Sequence, residues 1–176
     1  MKTLIHICCG PCALVFTQDF AGRGGDVCLF WDNFNIHPFT EYKNRKAAAM
    51  DFAVLAGLKI ETSDDEKYGL RGFLEAAGNG KNCHVCYHTR LAATAKHAMT
   101  MGFAAFTTTL MASPYQNFEA ICDIGGKIAQ KTGLVFVVED FRDRYREGLA
   151  KARGVGLYVQ KYCGCIFSEE ERYVKR

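Results

Sequence analysis

The chain has 176 residues, 49% of them hydrophobic, 23% charged and 12% aromatic, with only three Pro and a formal net charge of +3. That length and balance suit one buried core, so a single domain over residues 1–176 is expected, and they exclude a disordered chain. No apolar run approaches the roughly 18 residues that cross a bilayer, which argues against a membrane partner. Residues 1–9 lack the apolar stretch and small-residue cleavage site of a secretion signal, which predicts a soluble protein of the reducing cytoplasm without structural disulfides.

Apolar runs alternate between short β-type stretches and longer helical ones, the pattern of an α/β fold with a parallel sheet flanked by helices. Residues 4–7 read as a first strand, and 13–20 as a short helix ended by Gly22-Arg23-Gly24-Gly25. Residues 27–31 form a second strand. A helix over 40–55, with Thr40 as N-cap, places Ala49, Phe52, Ala53 and Ala56 on one face and stops at Gly57, before a third strand at 58–62. Residues 64–77 read as a helix with an acidic start, broken by Gly78-Asn79-Gly80. A helix over 84–101 and a β-rich run over 103–109 follow. Pro114 suits the first turn of a helix reaching Lys131, and Gly133 leads into a strand at 134–138, which brings the sheet to about five strands. Residues 142–160 read as one basic helix, and Ser168 with Glu171 as the capping box of a last short helix.

Nine Cys are fewer than the roughly 8–10% that marks a secreted disulfide scaffold, yet too many to be incidental. Cys28 and Cys122 stand alone and read as core thiols. The other seven fall in three clusters: Cys8, Cys9 and Cys12; Cys83 and Cys86; Cys163 and Cys165. Gly10-Pro11 ends the first strand and leaves a turn with thiols on both sides, at the carboxyl end where open α/β sheets bind ligands. Cys83 and Cys86, three apart at a helix start, share a face, and the helix N-terminus favours their thiolates. Convergence of the clusters in one crevice would gather more thiols than the four of a structural zinc site, which suits an iron–sulfur cluster with further thiols beside it. Gly164 permits the turn that would let Cys163 and Cys165 pair in a strained, readily reduced disulfide. His6 reads as a core histidine.

Beyond the thiols, local patterns recur in order along nearly the whole chain: Cys8-Cys9-Gly10-Pro11-Cys12; Asn35-Ile36-His37-Pro38 with Glu41, Tyr42 and Arg45; Cys83 and Cys86 with Tyr87, Arg90 and Leu91; Phe106-Thr107-Thr108-Thr109-Leu110; Ser113-Pro114-Tyr115-Gln116; and Gly156-Leu157-Tyr158 leading to Tyr162-Cys163-Gly164-Cys165-Ile166-Phe167-Ser168-Glu169 and Arg172. In these the sequence resembles the epoxyqueuosine reductase family QueH, departing from its usual pattern at Phe34 and Phe118. The resemblance implies a Rossmann-like fold of the nucleotide-binding HUP type, as in tRNA-thiolating enzymes. It implies reduction of the epoxide of epoxyqueuosine, on the wobble base of a tRNA anticodon loop, to queuosine and water, with a 4Fe-4S cluster, no cobalamin and an external electron donor. It further implies Cys8, Cys9, Cys83 and Cys86 as cluster ligands, and Cys163 and Cys165 as a redox-active pair. An alternative is an additional isolated iron ion, held by some of Cys12, Cys163 and Cys165. Substrate contacts are expected from His37, Tyr42, Arg45, Arg90, Ser113, Tyr115, Tyr158 and Arg172, with His37, Tyr115 or a thiol as proton donor, although packing or orienting a loop is the stronger reading of His37.

Residues 141–161 carry Arg142, Arg144, Arg146, Lys151, Arg153 and Lys161 against Asp143 and Glu147, a basic segment placed to hold anticodon phosphates, with Tyr158 or Tyr162 free to stack on a base. Two rivals are a zinc-binding nucleic-acid module and an ATP-dependent tRNA thiolase. The second requires a Ser-Gly-Gly-x-Asp-Ser phosphate loop after the first strand, where this chain has Cys8-Cys9-Gly10-Pro11-Cys12.

Overall fold

Short strand sequences separated by longer helical runs fold here into one parallel sheet flanked by helices. The computed structural model describes residues 1–22, 26–63, 68–78 and 80–174. Its elements are β1 (Thr3–His6), α1 (Gly10–Gly22), β2 (Val27–Trp31), α2 (Phe39–Ala56), β3 (Ile60–Thr62), α3 (Leu70–Ala77), α4 (Cys83–Thr100), β4 (Ala105–Thr108), α5 (Phe118–Thr132), β5 (Val135–Phe136), α6 (Tyr145–Gly154) and α7 (Ile166–Tyr173). The sheet order is β3-β2-β1-β4-β5 with every pairing parallel. All four residues of β1 and of β4 are buried, the polar Thr3, His6, Thr107 and Thr108 included, as expected of central strands covered on both faces. The expected α/β class and five-strand sheet are therefore present.

The strand order reverses between β1 and β4, so the loops leaving their carboxyl ends diverge and open a crevice there. Cys8 and Cys9 follow β1 into that crevice, and a 3-10 turn over Thr109–Ala112 follows β4 into it. His6, the last residue of β1, is fully buried, with Nδ1 bonded to Thr108 Oγ1 at 3.0 Å and Nε2 to the Asp32 carbonyl at 3.2 Å. Burial, above all, draws its pKa down to about 3, so it stays neutral as a core residue.

Several boundaries differ from the sequence reading. Helix α1 begins at Gly10, with Pro11 in its first turn, where a missing N–H is no loss. The N-cap of α2 is Pro38 rather than Thr40, while Gly57 does close the helix in the left-handed region at φ 63°. Helix α3 starts at Leu70, and residues 64–67, which carry the acidic start expected of it, lie outside the described residues. Helix α5 starts after Asn117, whose side chain accepts from Ala120 N at 3.0 Å, which leaves Pro114, Tyr115 and Gln116 in a turn. The segment 142–160 is not one helix: α6 ends at Gly154, Gly156 turns at φ 74°, and Leu157 N closes back on the Ala152 carbonyl at 2.9 Å. Cys165, not Ser168, caps α7, its Sγ accepting from Ser168 N at 3.4 Å. Cys28 is buried and Cys122 half-buried.

Helix α6 packs on α1 so closely that a Cβ on Gly148 would stand 2.6 Å from the Pro11 carbonyl oxygen and 2.8 Å from Val15. A backbone atom cannot swing aside, so Gly148→Ala should be destabilising. Overpacking costs about 1–3 kcal/mol, against a gain of about 1 kcal/mol from helix propensity. A lowered urea midpoint at unchanged slope checks this; an unchanged midpoint shows that α6 shifts freely. Among the described residues no helix is long and apolar enough to cross a membrane.

Candidate active site

Two hollows at the carboxyl edge of the sheet collect all seven clustered cysteines. A cavity of about 420 Å3 is lined by Cys8, Cys9 and Cys12 from the β1–α1 turn and by Cys163. Beside it, a crevice of about 10 Å3 is lined by Cys83, Cys86, Cys163 and Cys165. Cys163 and Gln116 belong to both walls, and Gln116 Nε2 donates to Cys163 Sγ at 3.4 Å. The three sequence clusters thus meet at Cys163, in two adjoining hollows rather than one pocket. All nine cysteines are free thiols. Among the described residues no group of three or more His, Cys, Asp or Glu side chains is gathered tightly enough to hold a single metal ion.

Four of these thiols, Cys8, Cys9, Cys83 and Cys86, have their pKa values raised by their surroundings. A hydrogen bond with Cys9, then burial, raises the Cys8 pKa well above its ordinary value, and a hydrogen bond with Cys12 pushes Cys9 up to about 12. Burial pushes Cys86 up to about 12 and raises Cys83. The expectation that the start of α4 favours their thiolates is thus reversed, because desolvation outweighs the helix end.

Two buried arginines dominate the field. Arg45, 1% exposed, donates Nε to Glu41 Oε1 at 2.6 Å, Nη1 to the Cys163 carbonyl at 2.9 Å and Nη2 to the Tyr162 carbonyl at 2.8 Å. The Tyr158 hydroxyl donates to the other Glu41 oxygen. Arg90, 2% exposed, donates Nε and Nη2 to Asn33 Oδ1 at 3.1 and 2.6 Å, and Asn33 Nδ2 donates to the Ile7 carbonyl at 2.9 Å. Arg90 has no carboxylate partner among the described residues, although its charge bears on Cys8 and Cys86. A buried guanidinium without a counter-anion, amid soft sulfur donors, is the environment that an anionic thiolate-held metal cluster satisfies, so the donor set fits such a group.

The expected substrate contacts divide. Ser113, Tyr115, Arg45 and Arg172 line the larger cavity, with Tyr115 79% exposed at its mouth, and Arg90 lines the crevice. His37, Tyr42 and Tyr158 line neither of these hollows. His37 is fully buried, its ring packed on Tyr68 and Phe73 at centroid distances of 5.2 and 4.9 Å. Its backbone braces the cysteine turn: His37 N donates to the Gly164 carbonyl at 2.7 Å, and the Tyr162 hydroxyl donates to the His37 carbonyl at 2.7 Å. Tyr42 is buried and accepts from Trp31 Nε1 at 3.3 Å. Three of the six basic side chains of the segment are paired, Arg142 with Asp140 while Arg144 and Lys151 share Glu147. Of its basic side chains Lys161 lines the cavity. Sequence reasoning missed Gln160, whose Nε2 donates to Cys9 Sγ at 3.1 Å, and Tyr145, which meets Tyr115 edge-on at 5.7 Å. Neither carries a signal of its own, since each lies in a stretch that reads as surface helix.

The family model described as epoxyqueuosine reductase QueH matches residues 3–171. An epoxyqueuosine reductase QueH of Dehalococcoides mccartyi is 32% identical over 177 residues, covering 99% of this chain and 96% of its own. That of Thermotoga maritima is 35% identical over 181 residues, covering 98% and 92%. A crystal structure of a predicted tRNA methyltransferase subunit from Methanocaldococcus jannaschii superposes with a TM-score of 0.53 at 12% identity, over 100% of this chain and 94% of that one, a likeness of fold alone. With the thiol clusters, the switch-point crevice and these relatives in agreement, the chain belongs to the epoxyqueuosine reductase QueH family.

Proposed function

We propose that this chain is an oxidoreductase that removes the epoxide oxygen of epoxyqueuosine in a tRNA anticodon loop, giving queuosine and water. The observation that carries the reading is the meeting of all three cysteine clusters at the β1/β4 switch point, beneath a cavity of about 420 Å3 roomy enough for a modified base. Cys8, Cys9, Cys83 and Cys86 would hold a 4Fe-4S cluster with Arg90 as its buried counter-charge. When bound, that cluster supplies single electrons from an outside donor. Cys163 and Cys165 act as a dithiol: their oxidation to a disulfide releases two electrons and two protons, which balance the breaking of the C–O bonds and the departure of the oxygen as water.

The remaining residues position and exclude. Gln116 directs an N–H at Cys163 Sγ at 3.4 Å, which orients that sulfur on the wall common to both hollows. Tyr115, at the mouth, is the aromatic group placed to stack on a flipped-out base, and Lys161 and Arg172 on the same wall meet its flanking phosphates. A protonated side chain on this wall, Tyr115 or a thiol, is positioned to deliver a proton to the leaving oxygen. His37 is not, because its ring faces Tyr68 and Phe73.

Anaerobic purification followed by metal analysis tests the assignment. About four iron per chain with broad visible absorbance, and conversion of epoxyqueuosine to queuosine in tRNA under a chemical reductant, are the expected results. Colourless protein with one zinc per chain, or iron-loaded protein that leaves the epoxide intact, would overturn it.

A further inference from the structure

A groove of about 560 Å3, larger than either thiol hollow, runs between α4 and α5. Its floor is apolar, built by Ala92, Ile124 and Ile128, and Met99 at its edge is 54% exposed. Its rim is cationic. Lys96 and Lys131 are exposed and have no carboxylate partner among the described residues, while Lys127 is paired with Asp123 at 2.7 Å. On α4 the lining positions 84, 88, 92, 96 and 99 form a single stripe of about 22 Å, given about 1.5 Å of rise per residue. The stripe begins at His84, directly after Cys83, so one end of the groove abuts the thiol crevice.

We infer that this groove docks an acidic protein electron carrier of the iron–sulfur class, which reduces the thiol site. The inference rests on the proposed deoxygenation, whose two electrons per turnover come from outside the chain. Three features select this occupant. An apolar floor flanked by Lys96 and Lys131, beside the mutually neutralised Lys127–Asp123 pair, suits a protein surface, whereas a phosphate backbone needs the cations but not the floor. Small contacts steered by complementary charge are how transient redox partners meet. The groove also shares no lining residue with the larger cavity where Tyr115 and Arg172 stand, so a carrier can bind while the tRNA occupies that mouth. In each encounter the carrier's reduced centre loses one electron and the site gains one, and a second encounter completes the pair, with protons taken from solvent.

The test uses an acidic [2Fe–2S] ferredoxin as probe, with dithionite as a small reductant that needs no docking, on the iron-loaded protein and its Lys96→Glu/Lys131→Glu variant. Calorimetric titration at low salt should show ferredoxin binding weakened about tenfold or more in the variant, with KM for ferredoxin raised to match, while tRNA affinity and dithionite-driven turnover stay within about twofold. Ferredoxin that binds neither protein, or both equally, overturns the inference, as does a fall in tRNA affinity, which would mark the groove as an RNA surface. Absence of dithionite-driven turnover in the parent protein would instead defeat the reductase assignment, and the titration would still report on docking.

Discussion

Replacing Cys163 with alanine should lower epoxyqueuosine deoxygenation by roughly 10³-fold or more, the scale on which loss of a reacting group registers, and leave the visible absorbance of the iron-loaded protein intact. The structure makes this substitution clean. What fixes the turn at this position is the Cys163 carbonyl, which receives Arg45 Nη1 at 2.9 Å, together with the Gly164 carbonyl, which receives His37 N at 2.7 Å. The thiol takes part in neither bond. It receives the N–H of Gln116 at 3.4 Å, on the wall common to both hollows. Alanine therefore removes the sulfur and keeps the backbone. Cys83→Ala should act oppositely, abolishing the visible absorbance, because Cys83 is a proposed cluster ligand. Retained turnover in Cys163→Ala would defeat the dithiol role, and lost absorbance in that variant would move Cys163 into the ligand set.

Local signals that are single-residue and steric carried over well from sequence to structure. Gly57 and Gly133 end α2 and α5 in the left-handed region at φ 63° and 74°, as their positions after apolar periodic runs imply. The placement of Cys8 and Cys9 at a strand end follows equally, because a parallel sheet must turn where Gly10-Pro11 interrupts the apolar run. The errors arise where tertiary contacts choose among several competent residues. Pro114 and Asn117 can both open a helix, and the chain uses Asn117 because Tyr87, donating to Gln116 Oε1 at 3.0 Å and accepting from Asn117 N at 3.1 Å, holds the turn before it. Ser168 and Cys165 compete likewise, and Ser168 is drawn inward to donate to the Cys165 carbonyl at 2.7 Å. At the site, sequence identified which residues gather but not which of them face the hollows: His37 and Tyr158 stand among the matched motifs, yet neither lines the cavity or the crevice, while Arg45 of the same motif does. No spacing rule distinguishes a residue that touches substrate from one that holds its neighbour.

Arg45→Lys should lower turnover by about 10- to 100-fold while the protein stays folded, with the loss in kcat rather than in KM for tRNA. Three bonds from one guanidinium plane reach Glu41 and the carbonyls of Tyr162 and Cys163, and that fork is what lysine lacks. A Cβ on Gly164 would lie 3.2 Å from Arg45 Nη1, so the side chain packs directly against the turn as well as bonding to it. Lysine retains a charge for buried Glu41, which separates loss of positioning from loss of the ion pair. Arg45→Ala strips that pair and should destabilise by about 3–5 kcal/mol, so it is the wrong variant for a kinetic question. Because a folding defect would also lower kcat, the deciding readout is the alkylation rate of Cys163 by iodoacetamide. That rate should rise in Arg45→Lys as the turn loosens, at an unchanged unfolding midpoint. An unchanged alkylation rate with normal turnover would show that the turn is held by His37 and Tyr162 alone and that Arg45 serves only to neutralise Glu41.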